Sequence, residues 1–273
     1  MINLINKKEN IFEDGIAFVE NWDFSCANLN EENRIRAITQ VASICYQNPK
    51  ALGSESLYNR LMAESMGLPS SSFEFVPVLL DYENPKHKEI LELEYSNCKK
   101  FGELIDDRYL LTNYRALVYD YENSKDSFSF DIRTIFNSEE ECKIIKDYFK
   151  VFLYKVDLPT RSQMVRHRCS WQELSRRYVS GKKMPFEFYV SPKLKENQKV
   201  EDLIKQSTDL YFELLENGVK PQEARRVIPQ MGYTQIWAAF MPKHLDNYFK
   251  LRLDESAQWE IRQTAIAMQE LLR

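Results

Sequence analysis

Between Arg161 and Lys183 stand Arg161, Arg166, His167, Arg168, Arg176, Arg177, Lys182 and Lys183, against the single acid Glu173. The chain around them is acidic, with 37 Lys and Arg against 41 Asp and Glu and a net charge of −4. The cluster is therefore local. Guanidinium groups packed together repel unless a phosphate or carboxylate sits among them, and their planar forks suit such groups. Trp171 and Tyr178 add aromatic surface, while Ser170, Gln172, Glu173 and Ser175 interleave uncharged or acidic polar groups. That mixture suits recognition of a phosphate and a heterocycle. A merely solvated basic face is the alternative, and most charge runs are that.

Two arginines stand out downstream. Arg225 lies in ARRVIPQMGYTQ, and Arg252 in HLDNYFKLRLDESAQWEIR. Arg252 has helical spacing to Leu245, Tyr248, Phe249 and Ala257. A charge enters such apolar company for a ligand, a partner or a buried salt bridge, here to Glu260 or Asp254. No convincing Cys–His or Ser–His pair offers a protein nucleophile. Cys26, Cys45, Cys98, Cys142 and Cys169 are scattered without a CxxC pair or metal-type spacing, which reads as reduced thiols in a cytosolic protein.

The elements that must position these groups follow from periodicity. Ile35, Ile38, Val41, Ala42 and Cys45 mark a helix from Glu31. Ser54 can cap a second helix over SESLYNRLMAESM, with Gly67 as its left-handed C-cap. GLPSSSFEFVPVLL reads as a loop entering a strand. Helices are expected at Lys86–Lys100, at Leu110–Tyr119, and at Ser138–Phe149 with Ser138 as N-cap. KVFLYKVD is a strand, and Leu158-Pro159-Thr160 turns it into a helix carrying Gln163, Arg166 and His167. The basic stretch then runs as a loop. Helices follow at Val200–Asn217 and Pro221–Arg226, the latter ended by Pro229, and a last one spans Asp254–Leu272.

Composition sets the outer bounds. With 273 residues, 44% hydrophobic and 29% charged, the chain suits one globular unit, 1–273, in which the charged stretch 81–148 is an insertion without linkers at its ends. Only 7 glycines make a glycine-rich nucleotide loop an improbable main binding device. The start, MINLINKKENIFEDG, is polar, and no apolar run reaches the ~20 residues of a membrane helix. A cytoplasmic protein with no membrane and no nucleic-acid partner is expected.

Four segments, in order, carry a resemblance. RHRCSWQELSRRY resembles the signature of flavin-dependent thymidylate synthases, an RHR triplet followed by a Ser-x-Asn-Glu-x-Ser-x-Arg-Tyr loop. ARRVIP is similar to that family's Ala-Arg-x-Val-Leu-Pro element, and LDNYFKLRLDESAQWEIR to its C-terminal element. ITQVASICY and GLPSSSFEF resemble its N-terminal helix and its Gly-His-x-(Ser/Thr)-x-Phe-Glu-His loop. The resemblance implies an α+β fold, a twisted and mainly antiparallel sheet flanked by helices, assembled as a homotetramer. It implies methylation of dUMP with FAD as cofactor, methylene-tetrahydrofolate as carbon donor and NADPH as reductant. Since reduced flavin reaches the uracil ring directly, no protein nucleophile is required. By the same resemblance, Gln163 and Arg166 face the nucleotide, and Ser175, Arg176 and Arg177 hold its phosphate. Arg225 adds a contact from a neighbouring subunit. Arg252 contacts the pyrimidine as the catalytic residue. Ser71, Arg166, His167, Arg168, Glu173 and Asn247 line the FAD site.

The sequence also departs from the family pattern. Six residues separate RHR from Ser175 where seven are usual, and Gln172 replaces the usual Asn. Pro69 and Phe75 occupy the usual histidine positions, while Met241 and Lys243 stand for Asn and Arg. These changes motivate one alternative, the same flavoenzyme acting on UMP or another pyrimidine nucleotide; the basic, aromatic-flanked strip Arg161–Lys183 itself suggests another, a non-catalytic RNA- or nucleotide-binding protein.

Overall fold

The computed structural model describes residues 7–63 and 68–273; the expected C-cap at Gly67 lies outside them. In chain order, β1 (Lys7–Asn10), β2 (Phe18–Trp22), α1 (Glu31–Tyr46), α2 (Glu55–Met62) and β3 (Pro77–Asp81) come first. Next are α3 (Pro85–Leu91), α4 (Asn97–Phe101), β4 (Glu103–Ile105), β5 (Tyr109–Asn113), α5 (Tyr114–Asn123) and α6 (Glu139–Tyr148). The C-terminal half supplies β6 (Lys150–Asp157), α7 (Leu158–Met164), β7 (Ser170–Glu173), α8 (Gln198–Glu216) and α9 (Pro221–Ala224). It ends with β8 (Tyr233–Phe240), α10 (Pro242–Arg252) and α11 (Trp259–Leu272). The fold is α+β.

A five-stranded sheet in the order β1-β2-β6-β8-β7, antiparallel at every pairing, forms the frame. Its central strands alternate side chains between two cores, as a period of 2 requires. Val151, Trp237 and Ala239 face one core, shared with Ile38 and Val41 of α1, Phe73, Phe75 and the second sheet. Phe152, Tyr154, Val156, Ile236, Ala238 and Phe240 face the other, closed by Leu245 and Tyr248 of α10 and by Ile261, Ala265 and Met268 of α11. Burial on both faces explains the apolar run of β6, and β8, which the sequence reading did not name as a strand, is packed in the same way.

The stretch 81–148 departs from its helical expectation. It supplies β4 and β5, which complete a three-stranded antiparallel sheet β3-β5-β4. The helix expected at Leu110–Tyr119 begins only at Tyr114, because Tyr109–Asn113 is the central strand and pairs on both sides. Asn113 then caps α5 by accepting from Ala116 N at 3.0 Å. The helix expected at Lys86–Lys100 is two. Ser96 caps α4, and the buried Asp120 of α5 accepts from Ser96 Oγ, Asn97 N, Asn97 Nδ2 and Cys98 N at 2.6–2.9 Å. Local periodicity could not show the pairing of β5 with β3 or the Asp120 ties, which are made across the fold, whereas the β4–β5 hairpin, with Ile105 opposite Tyr109, is local and was missed. The caps Ser54 and Ser138 form as expected, Ser138 within a capping box with Glu141.

Arg34 fastens this stretch to the rest. It is 2% exposed, lies over the Tyr114 ring at 3.9 Å, and donates to Asn28 Oδ1, Arg133 O and Ile135 O at 2.5–2.9 Å. Truncation strands buried acceptors that each cost about 1–3 kcal/mol. Arg34→Ala is expected to destabilise the fold by about 2–4 kcal/mol in urea unfolding, and a change below about 0.5 kcal/mol would contradict this role.

Candidate active site

The RHR triplet sits in the turn between α7 and β7. Pro159 starts α7 in its first turn, where a missing N–H costs nothing, and the helix stops after Met164. His167 N–H then donates to Met164 O at 3.0 Å, and His167 O accepts from Cys169 N at 3.2 Å and Trp171 Nε1 at 3.1 Å. This tight turn presses the His167 ring against Tyr248, centroids 4.7 Å apart, and leaves Arg166 and Arg168 exposed. The sequence read as a loop after RHR is in part a strand. β7 pairs with β8 from Ser170 opposite Ala239 to Glu173 opposite Ile236.

Arg252, the last residue of α10, reaches over this turn. Its Nε donates to His167 Nε2 at 2.7 Å, and its Nη2 donates to Gln163 O at 3.3 Å. A guanidinium carries five N–H donors, so three stay available. The alternative, a salt bridge to Asp254 or Glu260, is absent among the described residues: Asp254 accepts from Ser256 N and Oγ, and Glu260 accepts from Gln258 Nε2. That Asp254 turn is also why the last helix starts at Trp259 rather than at Asp254.

His167 must be neutral to accept at Nε2, which assigns its proton to Nδ1. Burial, and then the neighbouring Arg252 charge, push its pKa from the ordinary 6.5 down to about 4.

A cavity of about 340 Å³ opens beside this pair. Arg166, His167, Arg168, Asn247 and Arg252 line it, so five of the expected residues meet in one place. The sequence reading missed His244 and Leu251, which complete the lining. Their signal was present: 244, 247 or 248, and 251 or 252 recur at the 3.6 spacing of one face of α10. Gln163 borders the site, its Nε2 donating to Gln258 Oε1 at 2.7 Å.

The remaining expected residues stand apart from that cavity. Ser71 Oγ donates to Gln172 Oε1 at 2.5 Å, joining the 3-10 turn Ser71–Phe75 to β7. Glu173 pairs with Arg161 and accepts from Thr234 Oγ1 at 3.0 Å, which ties α7, β7 and β8 together. Arg176 is turned inward, donating to Met184 O at 2.6 Å and Pro185 O at 3.3 Å over the Phe186 ring. Burial lowers its pKa without removing its charge. Ser175 is half-buried beside it, and Arg177 is exposed over Tyr178. Arg225 is exposed on the 3-10 turn after α9 and bonds only Gln222 O, at 3.3 Å, among the described residues.

The sequence model of a family described as thymidylate synthase complementing protein matches residues 144–273, the span that builds this site. A flavin-dependent thymidylate synthase of Thermotoga neapolitana is 36% identical over 136 residues, 45% of this chain and 62% of that protein. Over residues 144–273 the chain is thus similar to flavin-dependent thymidylate synthases. A synthase of that description from Aquifex aeolicus is 29% identical over 215 residues, 71% of this chain and 67% of its own length. Another, from Saccharolobus solfataricus, is 38% identical over 111 residues, 40% of this chain and 43% of its own. The chain thus spans less than two thirds of the Thermotoga and Saccharolobus relatives.

A depressed histidine pKa means stability that is present above pH 6.5 and is lost as pH falls through about 4, because the unfolded chain takes the proton first. In Arg252→Met, which removes the nearby charge, the His167 pKa is expected to rise from about 4 toward 6.5. Imidazole NMR titration checks this; an unshifted resonance would show that Arg252 does not act on the ring.

Proposed function

We propose that this chain catalyses FAD-dependent reductive methylation of dUMP to dTMP, with methylene-tetrahydrofolate as carbon donor and NADPH as reductant. The observation that carries the reading is the Arg252–His167 pair, seated in one cavity with Arg166, Arg168 and Asn247. That donor set fits a flavin. Arg166 and Arg168 have no acid partner among the described residues, the imidazole is neutral, and the Asn247 amide and three Arg252 N–H groups are free to bond ring oxygens and nitrogens or phosphate. The names of the relatives support a flavin and a thymidylate product.

In this reading, a reduced flavin supplies the electrons and hydrogen that turn the transferred carbon into a methyl group. His167 holds the Arg252 guanidinium in place by accepting from Nε, and the remaining N–H groups face the pyrimidine carbonyls. Fixed donors of this kind stabilise charge developing on those oxygens without reorganising. Gln163 and Arg166 position the nucleotide. Ser175 and Arg177 offer side chains to its phosphate, and Arg176 holds that loop from within. Ser71, His167, Arg168, Glu173 and Asn247 flank the flavin.

The reading includes a homotetramer. Among the residues of α8 only Ser207 and Tyr211 are buried, while Leu203 and Leu210, seven apart on one face, are 50% and 42% exposed. An amphipathic helix with so little cover suits a subunit interface. Arg225, close in sequence to that helix, would reach a neighbour's nucleotide.

The purified protein is expected to show flavin absorption bands that shift on adding dUMP and not UMP. Arg252→Ala is expected to keep the flavin and lose the dUMP response, with turnover down about 10²–10³-fold. A colourless protein that takes up no FAD would contradict the reading.

A further inference from the structure

The basic stretch after β7 folds as two successive turns. Ser175 O accepts from Tyr178 N and Val179 N at 3.0 Å, and Ser180 O accepts from Lys183 N and Met184 N at 3.0 Å. Gly181 lies buried in the second turn, and a buried N–H must find an acceptor. It finds one outside the loop. Gly181 N donates to the Tyr211 hydroxyl of α8 at 3.0 Å.

Tyr211 is 1% exposed, and its ring stands edge-on to Phe186, centroids 4.8 Å apart at 87°. Phe186 in turn lies under the Arg176 guanidinium at 4.5 Å, and Arg176 closes back on Met184 O and Pro185 O. Tyr211 therefore grips the loop twice, by its hydroxyl at Gly181 and by its ring through Phe186 and Arg176. The fit leaves no room at position 181. A Cβ there would stand 2.8 Å from Phe186 Cε2 and 3.0 Å from Tyr211 Cε1, inside the roughly 3.5–4.0 Å at which carbons pack.

Ser175 and Arg177, the side chains offered above to the nucleotide phosphate, stand on the first of these turns. A loop that is already ordered binds an anion more tightly, because no ordering entropy is lost at the binding step. α8 carries none of the residues placed in the site so far, yet it fixes the loop that carries two of them. We propose that Tyr211 is a positioning residue for the nucleotide: its hydroxyl holds the loop at Gly181 so that Ser175 and Arg177 meet the phosphate, and it touches no substrate itself. This rests on the dUMP reading above. The tie lies outside the Arg252–His167 cavity, so it acts on nucleotide affinity and leaves the flavin and the reacting ring alone.

The test uses the flavin-loaded full chain with dUMP, read by the shift of the flavin bands and by steady-state turnover. Tyr211→Phe keeps the ring and removes the hydroxyl, so that the buried Gly181 N–H loses its acceptor. The dissociation constant and KM for dUMP are expected to rise about tenfold, the scale of one hydrogen bond. FAD affinity, kcat and the size of the band shift at saturating dUMP are expected to stay as in the wild type. Unchanged dUMP affinity in the variant would overturn the assignment. A matching loss of FAD affinity would overturn it as well, since Tyr211 would then support the fold at large and not the loop. A wild type that binds flavin and not dUMP would instead remove the reading on which it rests.

Discussion

The eight-residue antiparallel register of β6 with β8, from Lys150 opposite Phe240 to Asp157 opposite Tyr233, fixes where each functional segment begins. α7 and the RHR turn leave the end of β6, β7 pairs back onto β8, and α10 leaves the end of β8. A slip of one residue would exchange the two faces, sending Trp237 and Ala239 into the core built for Ile236, Ala238 and Phe240. Both faces are packed, so the register is strongly specified. The position of Arg252 over His167 is a consequence of that pairing.

Within this frame the Arg252–His167 contact sets a cation against a base that stays neutral. A protonated His167 would lose the Nε2 acceptor and place two positive charges 2.7 Å apart. Burial and the arginine charge act in the same direction on the imidazole. The outcome is an oriented guanidinium with free donors at the mouth of a cavity whose other polar residues are also short of acid partners. The chain as a whole carries a net charge of −4, so the positive charge gathered here is local.

Much of the C-terminal half was legible in the sequence. KVFLYKVD read as a strand, and the arginine concentration marked the turn that meets α10, but its partner strand Tyr233–Phe240 was not read from the sequence. Two helical expectations failed because a partner element elsewhere in the chain overrides the local pattern. Tyr109–Asn113 looked helical because its strand pairing is with residues 28 or more positions away for Pro77–Asp81, and Lys86–Lys100 looked continuous because Asp120 breaks it from another element. Arg176 stood in the phosphate loop by sequence, yet its fork is taken by Met184 and Pro185 carbonyls nearby. His244 was passed over although it shares a helix face with Asn247 and Arg252. Spacing along the chain shows which residues share a face; it does not show what lies opposite.

The most direct test of the central claim is to incubate flavin-loaded protein with dUMP, methylene-tetrahydrofolate and NADPH and to identify the nucleotide product by mass spectrometry. The account expects dTMP from the wild type, and a yield lower by two to three orders of magnitude from Arg252→Ala at equal flavin content. Unchanged dUMP from a wild-type protein shown to carry flavin and bind dUMP would contradict it, as would full turnover by the variant.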